Sequence, residues 1–211
     1  MYLLLRSGGV RYRFYLLRLL AFDERGIRMR LSYFDLMKLI EDGVIDADPA
    51  RVNGASIDVR LGREIKVERA KPNGDFGVVD LRHAKERGVD FETVDISDGA
   101  LIMPGQFFLA HTVETFNLPN YICADFRLRS SIARCGLNAL LANWCDPGWH
   151  GAQLTLELHN VNQHHALLVT EGLLVGQMIF DLVDAVPEDR SYATVGRYNR
   201  QSGATESLGA R

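Results

Sequence analysis

The chain has 211 residues, 47% of them hydrophobic, and 24 Lys+Arg against 27 Asp+Glu give a formal net charge of -3. That length buries a substantial core without covalent staples. The three cysteines, Cys123, Cys135 and Cys145, form no Cys-x-x-Cys pair, so neither a disulfide framework nor a zinc knuckle is predicted and a reducing, cytoplasmic setting is expected. Charge is uneven: residues 1–28 hold six arginines against Asp23 and Glu24, a net of +4, so the remainder carries -7. An acidic body argues against broad nucleic-acid binding, and any phosphate must meet a local cluster of cations.

In chain order, residues 1–28 are arginine-rich and free of acids up to Asp23, which suggests a targeting peptide. Arginines interrupt every apolar run, so neither a signal-peptide core nor a membrane span fits. The expectation is an extension outside the fold, with one domain over 29–211. "MRLSYFDLMKLIEDG" opens that domain as a helix: Ser32 and Asp35 have capping-box spacing, Phe34, Met37, Leu39 and Ile40 form a rough apolar face, and Gly43 ends it. The period then changes from helical to alternating. "ASIDVRLG" and "REIKVERA" read as short strands, Asn73-Gly74 as a turn, and "GQFFLAHTVETF" and "YICADFRLR" as longer strands bounded by Pro104 and Pro119. "SSIARCG" follows as one or two helical turns closed by Gly136. "GAQLTLELHN" alternates Leu154, Leu156 and Leu158 with Thr155, Glu157 and His159, and "LLVGQMIFDLV" is another apolar strand. With no second long helix, repeat or low-complexity tract, one mainly β sandwich or barrel is predicted.

Two blocks carry chemistry. In "FRLRSSIARCG", Arg129 and Arg134 flank Ser130 and Ser131 where a strand gives way to a helix, which places cations, hydroxyls and free amides together as a phosphate site requires. The plainer reading is that Ser130 caps the helix and the arginines are solvated. In "ANWCDPGWHGAQLTLELHN", an Asp146-Pro-Gly turn precedes a strand with Glu157 on its polar face, where a glutamate is more often solvated than catalytic. Trp149 reads as core or interface, and Cys145 as a packed thiol. His164-His165 are adjacent and point apart, which does not suit a metal pair.

Taken in order, "NGASIDVRLG", "LAHTVETFNLP", the two blocks above, "GLLVGQMIF" and "RYNRQSGATES" resemble the dCTP deaminase branch of the trimeric dUTPase-like superfamily, over residues 29 to about 207. The resemblance implies a distorted β jelly-roll (the dUTPase-like β-clip) with an N-terminal helix and few short helices, assembled as a homotrimer with each active site at a subunit boundary. It implies that Arg129, Ser130, Ser131 and Arg134 meet the triphosphate and base, with Ser130 and Arg134 nearest the reacting carbon. Asp146 reads the sugar, Thr155, Leu156 and Glu157 face the cytosine with Glu157 as proton shuttle, and the Ala142 carbonyl helps hold the attacking water. In the tail, Arg197 stands where a lysine is common, Gln201 is retained, and Tyr192 is assigned to a tyrosine near the nucleotide. Magnesium is implied on the triphosphate. Zinc is not, because the His-x-Glu and Pro-Cys-x-x-Cys signatures of zinc deaminases are missing from the sequence.

The chain departs from that pattern in three places. Asp146 to Glu157 is eleven residues, one more than the family spacing, which predicts a bulge near Ala152-Gln153 to keep Glu157 on the polar face. Leu141 and Trp144 also stand where the family often has other residues. The leading expectation is a hydrolase acting on the C–N bond of a cyclic amidine: dCTP to dUTP and ammonia, metal-free at the base. The tail lacks the glycine-rich, phenylalanine-bearing run of the dUTPase branch. A bifunctional enzyme giving dUMP and pyrophosphate is the alternative, followed by a dUTPase and a non-catalytic nucleotide-binding relative. The resemblance also raises dTTP as an inhibitor, and neither nucleic acid nor membrane is expected as a partner.

Overall fold

In the computed structural model of the protein, residues 30–140 and 142–210 are described. The expectations for residues 1–28 and for Leu141 lie outside them. Leu31 enters the core with its amide on the Phe180 carbonyl at 2.9 Å. Helix α1 (Tyr33–Glu41) then starts as predicted, the Asp35 carboxylate accepting from both the amide and the hydroxyl of Ser32 at 3.1 Å. Its buried residues are Leu36 and Leu39. Phe34, expected on the apolar face, is 80% exposed. Leu36 and Leu39, three residues apart, carry the inward stripe, and Phe34, two residues before Leu36, falls on the opposite side.

The remaining elements are β1 (Ile45–Asp46), β2 (Ile57–Arg60), β3 (Glu64–Glu68), α2 (Ala84–Arg87), β4 (Phe91–Asp95), β5 (Ala100–Ile102), β6 (Phe107–Asn117), β7 (Ile122–Leu128), α3 (Ser130–Ala133), β8 (Leu137–Ala139), β9 (Trp144–Cys145), β10 (His150–Asn160), β11 (Leu167–Val169), β12 (Leu174–Leu182) and α4 (Tyr192–Val195). Every long predicted strand is present. Asn73-Gly74 turns, Asn73 at φ 62°, but it opens an irregular excursion between β3 and β4.

One sheet runs β4-β3-β6-β10-β8 with β1 also on β6, a second runs β2-β12-β7-β9, and β11 pairs with β5. The two larger sheets close over Phe108, Phe116, Phe126 and Phe180, all fully buried, with Phe116 6.2 Å from Phe180 and stacked at 5.6 Å on Trp149. Among the described residues no helix is long and apolar enough to cross a membrane.

The β10–β6 ladder decides which way Glu157 points. The predicted bulge near Ala152-Gln153 is in fact two irregularities flanking that dipeptide. Between His150↔Asn117 and Ala152↔Phe116, Gly151 is extra on β10, at a φ of +63° that favours glycine. Between Gln153↔Thr115 and Thr155↔His111 the surplus lies on β6. There the Thr112 hydroxyl accepts from the Leu154 amide at 2.9 Å and donates to the Glu114 carbonyl at 2.9 Å, replacing ladder bonds that the mismatch removes. Pairing is then regular from Thr155↔His111 to His159↔Phe107. Ala152, Leu154, Leu156 and Leu158 are buried, and Gln153, Thr155 and Glu157 take the opposite face.

Candidate active site

A cavity of about 470 Å³ opens on that opposite face. Its floor is Leu109, Thr155 and Glu157, the last two on β10 and Leu109 directly across from Glu157 on β6. One wall comes from the excursion between β3 and β4, chiefly Val79, Leu81, Val89 and Phe91. The other comes from the β8–β10 connection, with Ala142, Trp144 and Asp146. Tyr192, Tyr198, Gln201, Thr205 and Glu206 cover it from the C-terminal side.

Glu157 is the most deeply set acid of this cavity. Its Oε2 is buried without a hydrogen-bond partner, and burial pushes its carboxyl above the ordinary value, outweighing the opposing effect of its own amide. An unpaired carboxylate out of water is costly, so this one is held ready to take a proton. Across the cavity, Asp146 is exposed and receives the Trp144 indole N–H on Oδ1 at 2.8 Å. Behind it, the Cys145 thiol is pushed far up, by burial first and then by the charges of Asp125 and Asp146. It is a packed thiol, and Trp149 is core, its indole N–H on the Tyr198 carbonyl at 2.8 Å.

The tail reaches the cavity through named bonds. The Arg200 amide donates to the His150 carbonyl and the Gln153 amide to the Gln201 carbonyl, each at 3.0 Å. The Gly203 amide meets Gln153 Oε1 at 2.8 Å and the Thr205 amide meets Thr155 Oγ1 at 3.0 Å. Lys66 holds Glu206 at 2.6 Å, and the Ala210 amide reaches the Leu81 carbonyl at 2.8 Å, joining the tail to the opposite wall.

A family model described as dCTP deaminase-like matches residues 31–183. The chain belongs to the dCTP deaminase-like family. It is 36% identical over 182 residues to the "dCTP deaminase, dUMP-forming" of Aquifex aeolicus, covering 85% of this chain and 94% of that one. To the protein of the same name from Methanothermobacter thermautotrophicus it is 32% identical over 190 residues, covering 86% and 92%. Among solved structures, the 2'-deoxycytidine 5'-triphosphate deaminase of Agrobacterium tumefaciens superposes with a TM-score of 0.58 at 21% identity, over 74% of this chain and 48% of that longer one. The mainly β jelly-roll that the motifs implied is therefore the fold of this dCTP deaminase-like chain.

Six of the residues predicted for this dCTP deaminase-like site line one cavity: Ala142, Asp146, Thr155, Glu157, Tyr192 and Gln201. Burial also pushes the Tyr192 phenol up. Three expectations need correction or relocation. The Leu156 side chain is 1% exposed and points into the core, because alternation from Thr155 and Glu157 sends it there, so only its backbone can face a ligand. Arg197 does not line the cavity, since its guanidinium donates to the carbonyls of Leu208 and Gly209 and organises the tail. Arg129, Ser130, Ser131 and Arg134 lie outside this cavity, because α3 leaves the end of β7 in the other sheet. Ser130 does not cap that helix: Arg129 is its N-cap, and both serines and Arg134 are exposed. Arg129 alone is tethered, to Asp58 at 2.7 Å.

Sequence reasoning missed the apolar wall of Val79, Leu81, Val89 and Phe91. These residues lack a sustained period, and nothing local ties them to β10. It also missed the indole–carboxylate pair, although Trp144 was visible as a departure from the family pattern.

Proposed function

We propose that the chain hydrolyses the exocyclic amino group from the cytosine of dCTP and carries the nucleotide through to dUMP. The balance is dCTP and two waters to dUMP, ammonia and pyrophosphate. One observation carries the first half: a carboxylate, Glu157, whose buried Oε2 has no partner and faces a nucleotide-sized cavity beside Thr155, Ala142 and Asp146. Glu157 takes the proton from a water held with the Ala142 carbonyl as the hydroxide adds to C4, and passes that proton to N3; it then takes the proton of the new C4 hydroxyl and delivers it to the amino group, so that ammonia leaves as the C4 carbonyl forms. A positioned acid–base of this kind contributes about 10²–10⁴-fold.

The second half revises the leading sequence expectation. The tail's lack of a glycine- and phenylalanine-bearing run favoured dUTP as end product, but the relatives quoted above are named dUMP-forming. Their similarity spans most of both chains, which supports hydrolysis at the α-phosphate in the same pocket. The α3 block, with Arg129, Ser130, Ser131 and Arg134, would serve the nucleotide from a neighbouring copy in a homotrimer, since within one chain it stands off the cavity. Magnesium would arrive on the triphosphate oxygens, a hard cation suited to them. Among the described residues no three His, Cys, Asp or Glu side chains cluster as a metal cage.

The test is chromatography of products from purified protein, dCTP and magnesium. Release of ammonia with dUMP and pyrophosphate is expected. Accumulation of dUTP alone would return the reading to a simple deaminase. No turnover of dCTP would overturn it.

A further inference from the structure

Trp144 lines the same cavity but has no role in the chemistry above. Strand β9 pairs with β7 at Ala124↔Cys145 and Asp125↔Trp144, so alternation buries Cys145 in the core and turns Trp144 outward. The indole is 57% exposed, an unfavourable place for so large an apolar ring unless it serves something there. Its one polar atom is committed: Nε1–H donates to Asp146 Oδ1 at 2.8 Å, and both residues face the cavity beside Ala142. Asp146 Oδ2 has no donor among the described residues. Asp146 itself starts an Asp-Pro-Gly turn on the surface, where an unrestrained carboxylate would sample several rotamers.

We propose that Trp144 is a positioning residue for sugar recognition: its indole N–H holds one oxygen of Asp146 so that the other is presented, in a single orientation, to the 3′-hydroxyl of a deoxycytidine nucleotide. This rests on the reading of the cavity as a dCTP site. The indole does not touch the reacting carbon and moves no proton. It removes the conformational freedom that Asp146 would otherwise lose on binding, and it lets the carboxylate bond the substrate without first giving up a donor, because the second lone-pair set is already open. The charge-assisted bond is geometrically specific, so a smaller aromatic ring without the N–H still covers part of the wall but leaves the carboxylate loose.

The experiment pairs an enzyme change with a substrate change. Trp144→Phe keeps an aromatic ring and deletes the donor, and 2′,3′-dideoxyCTP keeps the base and triphosphate and deletes the hydroxyl. Affinities are measured by calorimetry with magnesium, in a Glu157→Gln background that stops turnover. The expected result is a roughly 5- to 20-fold weaker binding of dCTP by W144F, with dideoxyCTP binding unchanged within about twofold. Asp146→Asn combined with W144F should weaken dCTP no further than Asp146→Asn alone. Equal losses for both nucleotides would make the ring a packing element, and no loss for either would make the hydrogen bond irrelevant; each overturns the proposal. Ammonia release from dCTP by the parent protein is scored separately, so a protein that binds with the expected coupling but does not deaminate would refute the enzymatic reading alone. Failure of the parent to bind dCTP would refute both. Because Trp144 is exposed, W144F should keep its thermal midpoint within about 2 °C.

Discussion

Two regions of this chain carry its polar chemistry, and they are built in opposite ways. The β10 face holds Glu157 half-buried between a strand ladder, an apolar wall and the tail, with Oε2 out of water and unsatisfied. The α3 block holds Ser130, Ser131 and Arg134 in open solvent, with only Arg129 tied down, to Asp58. A buried acid has its reactivity tuned within its own chain, whereas solvated cations and hydroxyls do little until something excludes water from them. The two halves thus teach that one chain encloses Glu157 by itself, whereas the α3 residues stand off that cavity and, on the proposed reading, wait for a neighbouring copy.

The largest expected effect breaks the first half. Glu157→Gln should lower turnover at least about 100-fold in an ammonia assay while dCTP still binds by calorimetry. The same variant should be more heat-stable than the parent at neutral pH. Glu157 has a folded-state pKa raised above its ordinary 4.5, so between those two values the folded state holds the extra proton and stability falls as pH rises through the window. Glutamine has no such loss. The difference in thermal midpoint should therefore close as pH falls toward 4.5, and a difference independent of pH would contradict burial as the cause.

The second half is broken by Arg134→Ala, which should cut activity strongly yet leave the midpoint within about 1–2 °C, as befits an exposed side chain. Mixing sharpens the comparison. If the two halves come from neighbouring copies in a closed ring, co-refolding equal amounts of E157Q and R134A should restore about a quarter of parental activity, because intact pairings reform at that frequency. No recovery would place both halves in one copy.

A smaller effect tests the ladder that aims Glu157. Thr112→Val keeps the shape but leaves the Leu154 amide and Glu114 carbonyl without the hydroxyl that joins them, costing about 1–3 kcal/mol in a urea titration. The smallest concerns α1: Phe34→Ser should change stability by less than about 0.5 kcal/mol, since the ring packs on nothing in the core.

What the sequence disclosed follows the range of the interactions. Strand alternation at Leu154, Leu156 and Leu158, the Ser32–Asp35 cap, and the helix opening after Leu128 are local, and all are found in the structure. The need for a compensating bulge was legible from the eleven-residue spacing, because period two leaves no other way to keep Glu157 on the polar face. Its actual form was not, since half of the mismatch sits on β6 and is bridged by Thr112, a residue whose partner lies 42 positions away. Phe34 misled for the same reason: the inward face of α1 is the one on which Leu36 and Leu39 join the core, a long-range contact. The wall at Val79 and Leu81, and the spending of Arg197 on the tail's own carbonyls, depend on contacts no local pattern encodes.

The tail has a consequence beyond catalysis. On the side away from β6, β10 is paired with β8 over Leu158, His159 and Asn160, the Leu140 amide donates to the Glu157 carbonyl at 2.9 Å, and nearer its start β10 is met by the Arg200–His150 and Gln153–Gln201 bonds. Those bonds cover backbone donors and acceptors of the kind that, when bare, recruit strands from other molecules. The segment that lines the cavity thereby also guards a strand edge, and concentrated protein cut short before Arg200 should associate more readily than the full chain.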